Sequence, residues 1–199
     1  MIECEPAGAR LTVVKITTDQ DGLYGYGCAT FTQRADLVKP AVERYLKPFL
    51  LGKITDRIED IWQSCYDSSY WKNGPVLNNA ISGIDEALWD IKGRQAGVPV
   101  YQLLGGKCRE AVDTYAHADG PENADVVASA KRYIDQGFRN VRVQIGVPGM
   151  AGYGSAGTSK SDYRPLHHKP LFEPAVYIWR ALKMFEVCRR SWGGGRPAA

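Results

Sequence analysis

VLNNAISGIDEALWDIKGRQAG, residues 76–97, carries the most regular pattern in the chain: Val76, Ala80, Ile84, Ala87, Leu88 and Ile91 recur at three- and four-residue steps. That spacing lines them along one stripe of an α-helix, and Gly97 followed by Pro99 is a helix stop. The polar residues in between read as the helix's solvated side. Before this helix, LTVVKITTDQDGLYGYGCAT (residues 11–30) sets β-branched and aromatic residues on both sides of Asp21-Gly22. That pair suits the positive φ angles of a tight turn, so the segment predicts a β-hairpin. Residues 34–51 and 56–66 return to helical spacing, with Gly52 placed to end the first of the two.

After residue 97 the rhythm changes. VPVYQLLGGKCRE (98–110) reads as a short helical turn closed by Gly105-Gly106. AVDTYAHA (111–118), ADVVASAKRYIDQG (124–137) and NVRVQIG (140–146) then alternate strand, helix, strand. This is a βαβ signal, predicting two adjacent parallel strands joined by a right-handed crossover. A domain boundary therefore falls at residues 109–111, dividing the chain into 1–110 and 111–199. In the second strand Val141, Val143 and Ile145 take one face while Arg142 and Gln144 take the other. An arginine and a glutamine are thus aimed at the same place. The second part is far shorter than the ~250 residues of a closed eight-fold βα barrel. It continues as a Gly- and Ser-rich loop (146–165), one helical segment, VYIWRALKMFEVCRR (176–190), and a patternless tail, SWGGGRPAA (191–199).

Composition excludes several function classes. With 199 residues, 44% of them hydrophobic and 24% charged, the chain can form a packed core. Lys and Arg total 25 against 22 Asp and Glu, and the net charge of +3 is scattered, which argues against a nucleic-acid partner. No apolar run approaches the ~20 residues of a membrane span, and MIECEPAGAR lacks the build of a secretion signal, so a cytoplasmic protein with no membrane partner is expected. The five cysteines, Cys4, Cys28, Cys65, Cys108 and Cys188, never form a CxxC and are expected to be reduced thiols.

ALWDIKGRQAGVPVYQLLGG (87–106) closely resembles the end of the capping domain in the enolase superfamily. Within it, RIEDIWQSCYDSSYWKNGPV (57–76), YAHADG (115–120) and VRVQIGVPGMAGYG (141–154) resemble the mannonate dehydratase group of acid-sugar dehydratases, including proteins labelled starvation-sensing. The likeness runs over roughly residues 10–165. It implies an α+β capping domain followed by the first βα units of a modified TIM barrel, with the barrel incomplete. The implied activity is that of a lyase of carbohydrate metabolism: Mg²⁺-dependent loss of water from a sugar acid such as mannonate or gluconate, giving the 2-keto-3-deoxy acid.

The resemblance also implies roles for residues. Arg142-Val143-Gln144 matches the second barrel strand, whose alternate side chains face the active site. Tyr153 matches the family's base, with Arg142 favouring the ionised phenol and orienting a carboxylate. His117 matches a substrate-contacting histidine, and Trp71 lies in a cap segment that overlooks the site. His117, Arg142 and Gln144 are therefore expected to share a cavity beneath the cap, near Trp71. Thr32 stands where the family usually has a substrate-binding asparagine, and Cys28 replaces an acidic residue, so substrate preference is expected to differ.

The family's metal ligands come from the third to fifth barrel strands, and the chain is expected to end before them. Asp162, Glu173 and Glu186 do not replace them, because nothing in their spacing brings them to one point. Adjacent residues such as His167-His168 point to opposite faces of a strand. No metal ligand is thus assigned in this chain, which as it stands is expected to be inactive. The alternative is a non-catalytic fragment that acts as a binding or oligomer-forming module, leaving a homo-oligomer open. An incomplete gene model, continuing past Arg190, is a third reading.

Overall fold

The computed structural model describes residues 1–4, 10–31, 34–146 and 174–192. Contacts divide the chain into two compact units, Met1–Glu110 and Ala111–Ala199.

The first unit opens with strands β1 (Ile2–Cys4), β2 (Leu11–Thr17) and β3 (Tyr24–Cys28), which form an antiparallel sheet in the order β1-β2-β3. β2 and β3 are the expected hairpin: Thr17 pairs with Tyr24 across a turn in which Gly22 takes φ 73°. β1 was not expected. It is three exposed residues long, and so short an edge strand has no periodicity to read.

Helix α1 (Ala35–Pro40), a π-helical turn (Ala41–Leu46) and α2 (Lys47–Leu50) run on from one another across the predicted helix of residues 34–51. Pro48 explains the irregular winding. It has no N–H to donate and its ring crowds the carbonyl of Arg44 one turn back, so the ladder before it widens. The Lys47 N–H closes that wide turn on the Val42 carbonyl, five residues earlier. Helices α3 (Ile58–Asp67), α4 (Pro75–Ala96) and α5 (Val100–Leu103) follow, and α4 stops at Gly97 in the left-handed conformation.

Helix α4 packs directly on β3. Gly25 and Gly27 point at it, and a Cβ at either would overlap the carbonyl oxygen of Ala87 or of Gly83. Gly83 returns the constraint, since a Cβ there would sit 2.7 Å from that of Ala29. This close approach lets α4 side chains finish the sheet edge. The Tyr26 N–H donates to Asp90 Oδ2 at 2.9 Å and the Cys28 N–H to Glu86 Oε2 at 2.7 Å. Beneath, Val14, Val38, Val42, Ile61, Ile84 and Leu88 form the buried core.

Asp85 lies beside Glu86 on α4, and its carboxyl is raised above the usual range, by burial first and then by Glu59 and Glu86. A carboxyl raised on folding favours the native state below its unfolded pKa of ~4 and loses that contribution as pH rises. Asp85→Asn is therefore expected to raise the thermal midpoint at pH 7 and to give no gain below about pH 4. Thermal melts of both proteins across pH check this.

The glycine contact is tested by chemical unfolding. Gly27→Ala meets backbone atoms that cannot swing away and is expected to cost about 3 kcal/mol, the upper end of overpacking penalties. Gly52→Ala faces open space at φ 79° and should cost only about 1 kcal/mol, for its left-handed backbone. Urea midpoints of equal size for the two variants would contradict the packing described.

In the second unit, β4 (Tyr115–Gly120), α6 (Asn123–Asp135) and β5 (Asn140–Ile145) form a βαβ unit with the strands parallel, as the alternation predicts. β4 begins later than the predicted strand of residues 111–118, at Tyr115, because its ladder starts where Asn140 becomes available as a partner. Helix α7 (Pro174–Ser191) packs on α6 and β5, with Met184 and Cys188 buried against Val126 and Ile145.

Candidate functional site

The parallel ladder fixes which side chains meet. Tyr115 pairs with Asn140, His117 with Arg142, and Asp119 with Gln144, so all six take one face of the two-stranded sheet. The intervening Ala116, Ala118 and Gly120 are buried on the other face, where Val143 and Ile145 join the core with α6 and α7. Small residues are needed at the end of β4: a Cβ on Gly120 would come within 2.5 Å of Asp125 Cβ and 2.9 Å of the Val126 nitrogen.

The turn into α6 is held firmly. The Glu122 N–H donates to Asp125 Oδ2 at 3.2 Å, completing a capping box, and the Arg180 guanidinium of α7 donates to the Pro121 carbonyl at 2.6 Å. The Gly146 N–H extends the pairing by donating to the Gly120 carbonyl at 3.0 Å. The polar face thus runs along two parallel strands whose C-terminal ends are tied down, with Asp119 and Gln144 nearest those ends and His117 and Arg142 midway along them.

His117 and Arg142 are exposed on this face, while Asp119 and Gln144 are half-buried. The His117 ring stacks on Tyr115, with centroids 5.2 Å apart. Among the described residues the side chains of Arg142 and Asp119 make no ion pair or hydrogen bond. The face therefore carries a guanidinium, an imidazole and a carboxylate side by side.

Three of the residues singled out in the sequence, His117, Arg142 and Gln144, come together here. Trp71 belongs to the first unit, where it is 82% exposed and meets Tyr70 edge-on at 5.3 Å. Thr32 and Tyr153 lie outside the described residues, as do Asp162, Glu173 and the His167-His168 pair. Glu186 is exposed on α7. Tyr115, Asp119 and Asn140 were not singled out, although the period of two that selects His117 and Arg142 selects them as well. Among the described residues no group of three or more His, Cys, Asp or Glu side chains could hold a metal ion. No helix among them is long and apolar enough to cross a membrane, and all five cysteines are free.

Residues 6–105 match the family described as mandelate racemase / muconate lactonizing enzyme, N-terminal domain. The chain belongs to that family. It is an enolase-superfamily chain, with the family's capping domain followed by the first βα units of the barrel. Similar curated proteins include a D-galactonate dehydratase family member of Enterococcus gallinarum, 49% identical over 97% of this chain and 47% of its own length. Another, from Pantoea ananatis, is 57% identical over 77% of this chain and 36% of its own length. Among solved structures, an enolase from Pantoea ananatis with bound D-gluconate and Mg superposes with TM-score 0.77 at 45% identity, covering 95% of this chain and 48% of its own. A 3,6-anhydro-D-galactonate cycloisomerase from Zobellia galactanivorans gives TM-score 0.66 at 31% identity, covering 96% of this chain and 46% of its own. The chain spans about half the length of the first two of these enzymes that it matches along nearly its whole length.

Proposed function

We propose that this chain provides the cap (residues 1–110) and the first barrel strands (within 111–199) of an acid-sugar dehydratase, acting on aldonic acids of the mannonate, gluconate or galactonate type. The observation that carries the reading is the pairing of His117 with Arg142 on a face whose cation has no protein partner among the described residues. A guanidinium in that position binds a carboxylate through two parallel N–H bonds, which orients the acid end of the substrate. His117 and Gln144 then hydrogen-bond the hydroxyls beyond it. Tyr153 takes the proton next to the carboxylate, its phenolate favoured by Arg142. Thr32 and Trp71 add contacts from the cap, and threonine's shorter reach shifts preference among sugar acids.

The Pantoea relative with D-gluconate and Mg makes Mg²⁺ the metal expected for such chemistry. The described residues do not fit it, since no ligand cluster is present among them, and none of the steps above runs through a metal. A second reading is a non-catalytic module that retains the sugar-acid or oligomer-forming surface.

Calorimetric titration of the 199-residue chain with D-gluconate, D-mannonate and D-galactonate tests the proposal. Binding is expected to one or more of them, weakened about tenfold or more by Arg142→Met, the loss of a charge-assisted bidentate pair. Equal affinity in the variant would remove Arg142 from the site. With Mg²⁺ added, no 2-keto-3-deoxy product is expected from this chain. Product formation that requires both Mg²⁺ and Tyr153, judged against Tyr153→Phe, would show that the chain is catalytic as it stands. Self-association without any sugar-acid binding would support the second reading.

A further inference from the structure

Asp119 shares the polar face of the second unit with His117 and Arg142, and takes no part in the chemistry proposed for them. The ladder sets it opposite Gln144, one pair beyond His117 and Arg142 toward the C-terminal ends of both strands. Strand spacing and rise put its Cα about 8 Å from that of Arg142, along the diagonal of the ladder. Its side chain is half-buried and, among the described residues, makes no hydrogen bond or ion pair, with Arg142 or with anything else.

The backbone on both sides of Asp119 is committed. Ala118 and Gly120 are buried on the opposite face, a Cβ on Gly120 would meet Asp125 Cβ at 2.5 Å, and the Gly120 carbonyl accepts from the Gly146 N–H at 3.0 Å. The period of two then keeps the Asp119 carboxylate on the side of the sheet that carries Arg142. An ionised carboxylate has acceptors only, so a hydroxyl satisfies it and a second anion does not. Half out of water, it has lost solvation that hydroxyl donors restore and that another carboxylate would reduce further.

We propose that Asp119 is a specificity-determining residue of this site: it accepts hydrogen bonds from hydroxyls at the far end of a sugar acid whose carboxylate lies on Arg142, and it rejects diacids, in which that end is a second carboxylate. The inference rests on the assignment of Arg142 to the substrate carboxylate. A cation and an anion set apart along one ladder, at a separation on the scale of a six-carbon chain, match a ligand with one charged end and one neutral, hydroxyl-bearing end. A ligand entering the other way round would bring like charges together at Asp119 and leave Arg142 facing hydroxyls. The same carboxylate therefore sets the direction of binding.

The test titrates the full chain in a calorimeter with D-gluconate, D-mannonate and D-galactonate, and with the diacids that carry a second carboxylate in place of the terminal alcohol, D-glucarate, D-mannarate and galactarate. The monoacid that binds most tightly is expected to exceed its own diacid about tenfold or more, and the gap to narrow as added NaCl screens the like charges. Asp119→Asn and Asp119→Ser should each weaken the monoacid several-fold and bring the diacid level with it, while the thermal midpoint of the ligand-free chain shows that each variant is folded. Equal binding of monoacid and diacid to the native chain, or a gap that survives in both variants, would remove Asp119 from specificity; the sugar-acid reading would still stand if Arg142→Met weakened both acids. Tighter monoacid binding by Asp119→Asn would also overturn the proposal, by making Asp119 a competitor for Arg142. If none of the six acids bound the native chain, this inference and the sugar-acid reading would fall together.

Discussion

The absence of side chains at Gly25 and Gly27 is the constraint on which the first unit depends. With hydrogen atoms in place of Cβ, β3 and α4 approach backbone to backbone, and no rotamer change could accommodate anything larger. Two consequences follow from that distance. The apolar stripe of α4, Ile84 and Leu88 with it, is pressed into the core shared with α1, α3 and the π-helical turn. The polar side of α4 is brought within reach of the sheet edge, so that Glu86 and Asp90 occupy donors that would otherwise face solvent or another strand. An exposed strand edge is a template for association, and here two carboxylates one helical turn apart close part of it.

That arrangement also shows where the sequence was legible. Helix α4, the Asp21-Gly22 turn and the βαβ alternation were all readable because each is a local periodicity or a local turn preference. The work done by Glu86 and Asp90 was not. On the helix alone they are the solvated side of an amphipathic pattern; their partners are backbone N–H groups some sixty positions earlier, and only the folded chain supplies them. β1 and the π-helical turn escaped for a related reason. A three-residue exposed strand has no repeat, and the effect of Pro48 falls on the turn before it, within an otherwise helical pattern.

The candidate site divides along the same line. That Arg142 and Gln144 share a face follows from the two-residue period of a strand and was visible in VRVQIG. That His117 lies opposite Arg142 rather than opposite Gln144 depends on ladder register, which no single strand contains. Burial sets the parity of that register. Moving either strand by one residue would turn Ala116, Ala118, Val143 and Ile145 away from α6 and α7 and bring His117 or Arg142 into the core. The packing of the apolar face therefore determines which residues share the polar face, and the ladder itself sets which of them are paired.

The same logic gives Arg142 its chemical significance. A guanidinium carries its charge at every working pH, and its planar fork matches a carboxylate. On β5 it faces an imidazole across the ladder, with Asp119 one pair further along, and it takes neither as an ion-pair partner. The capping box at Glu122 and the Arg180 contact to Pro121 hold the turn that follows β4. On the function proposed above, a sugar acid would set its carboxylate against Arg142 and its hydroxyls against His117 and Gln144, an order that follows the ladder from one strand to the next.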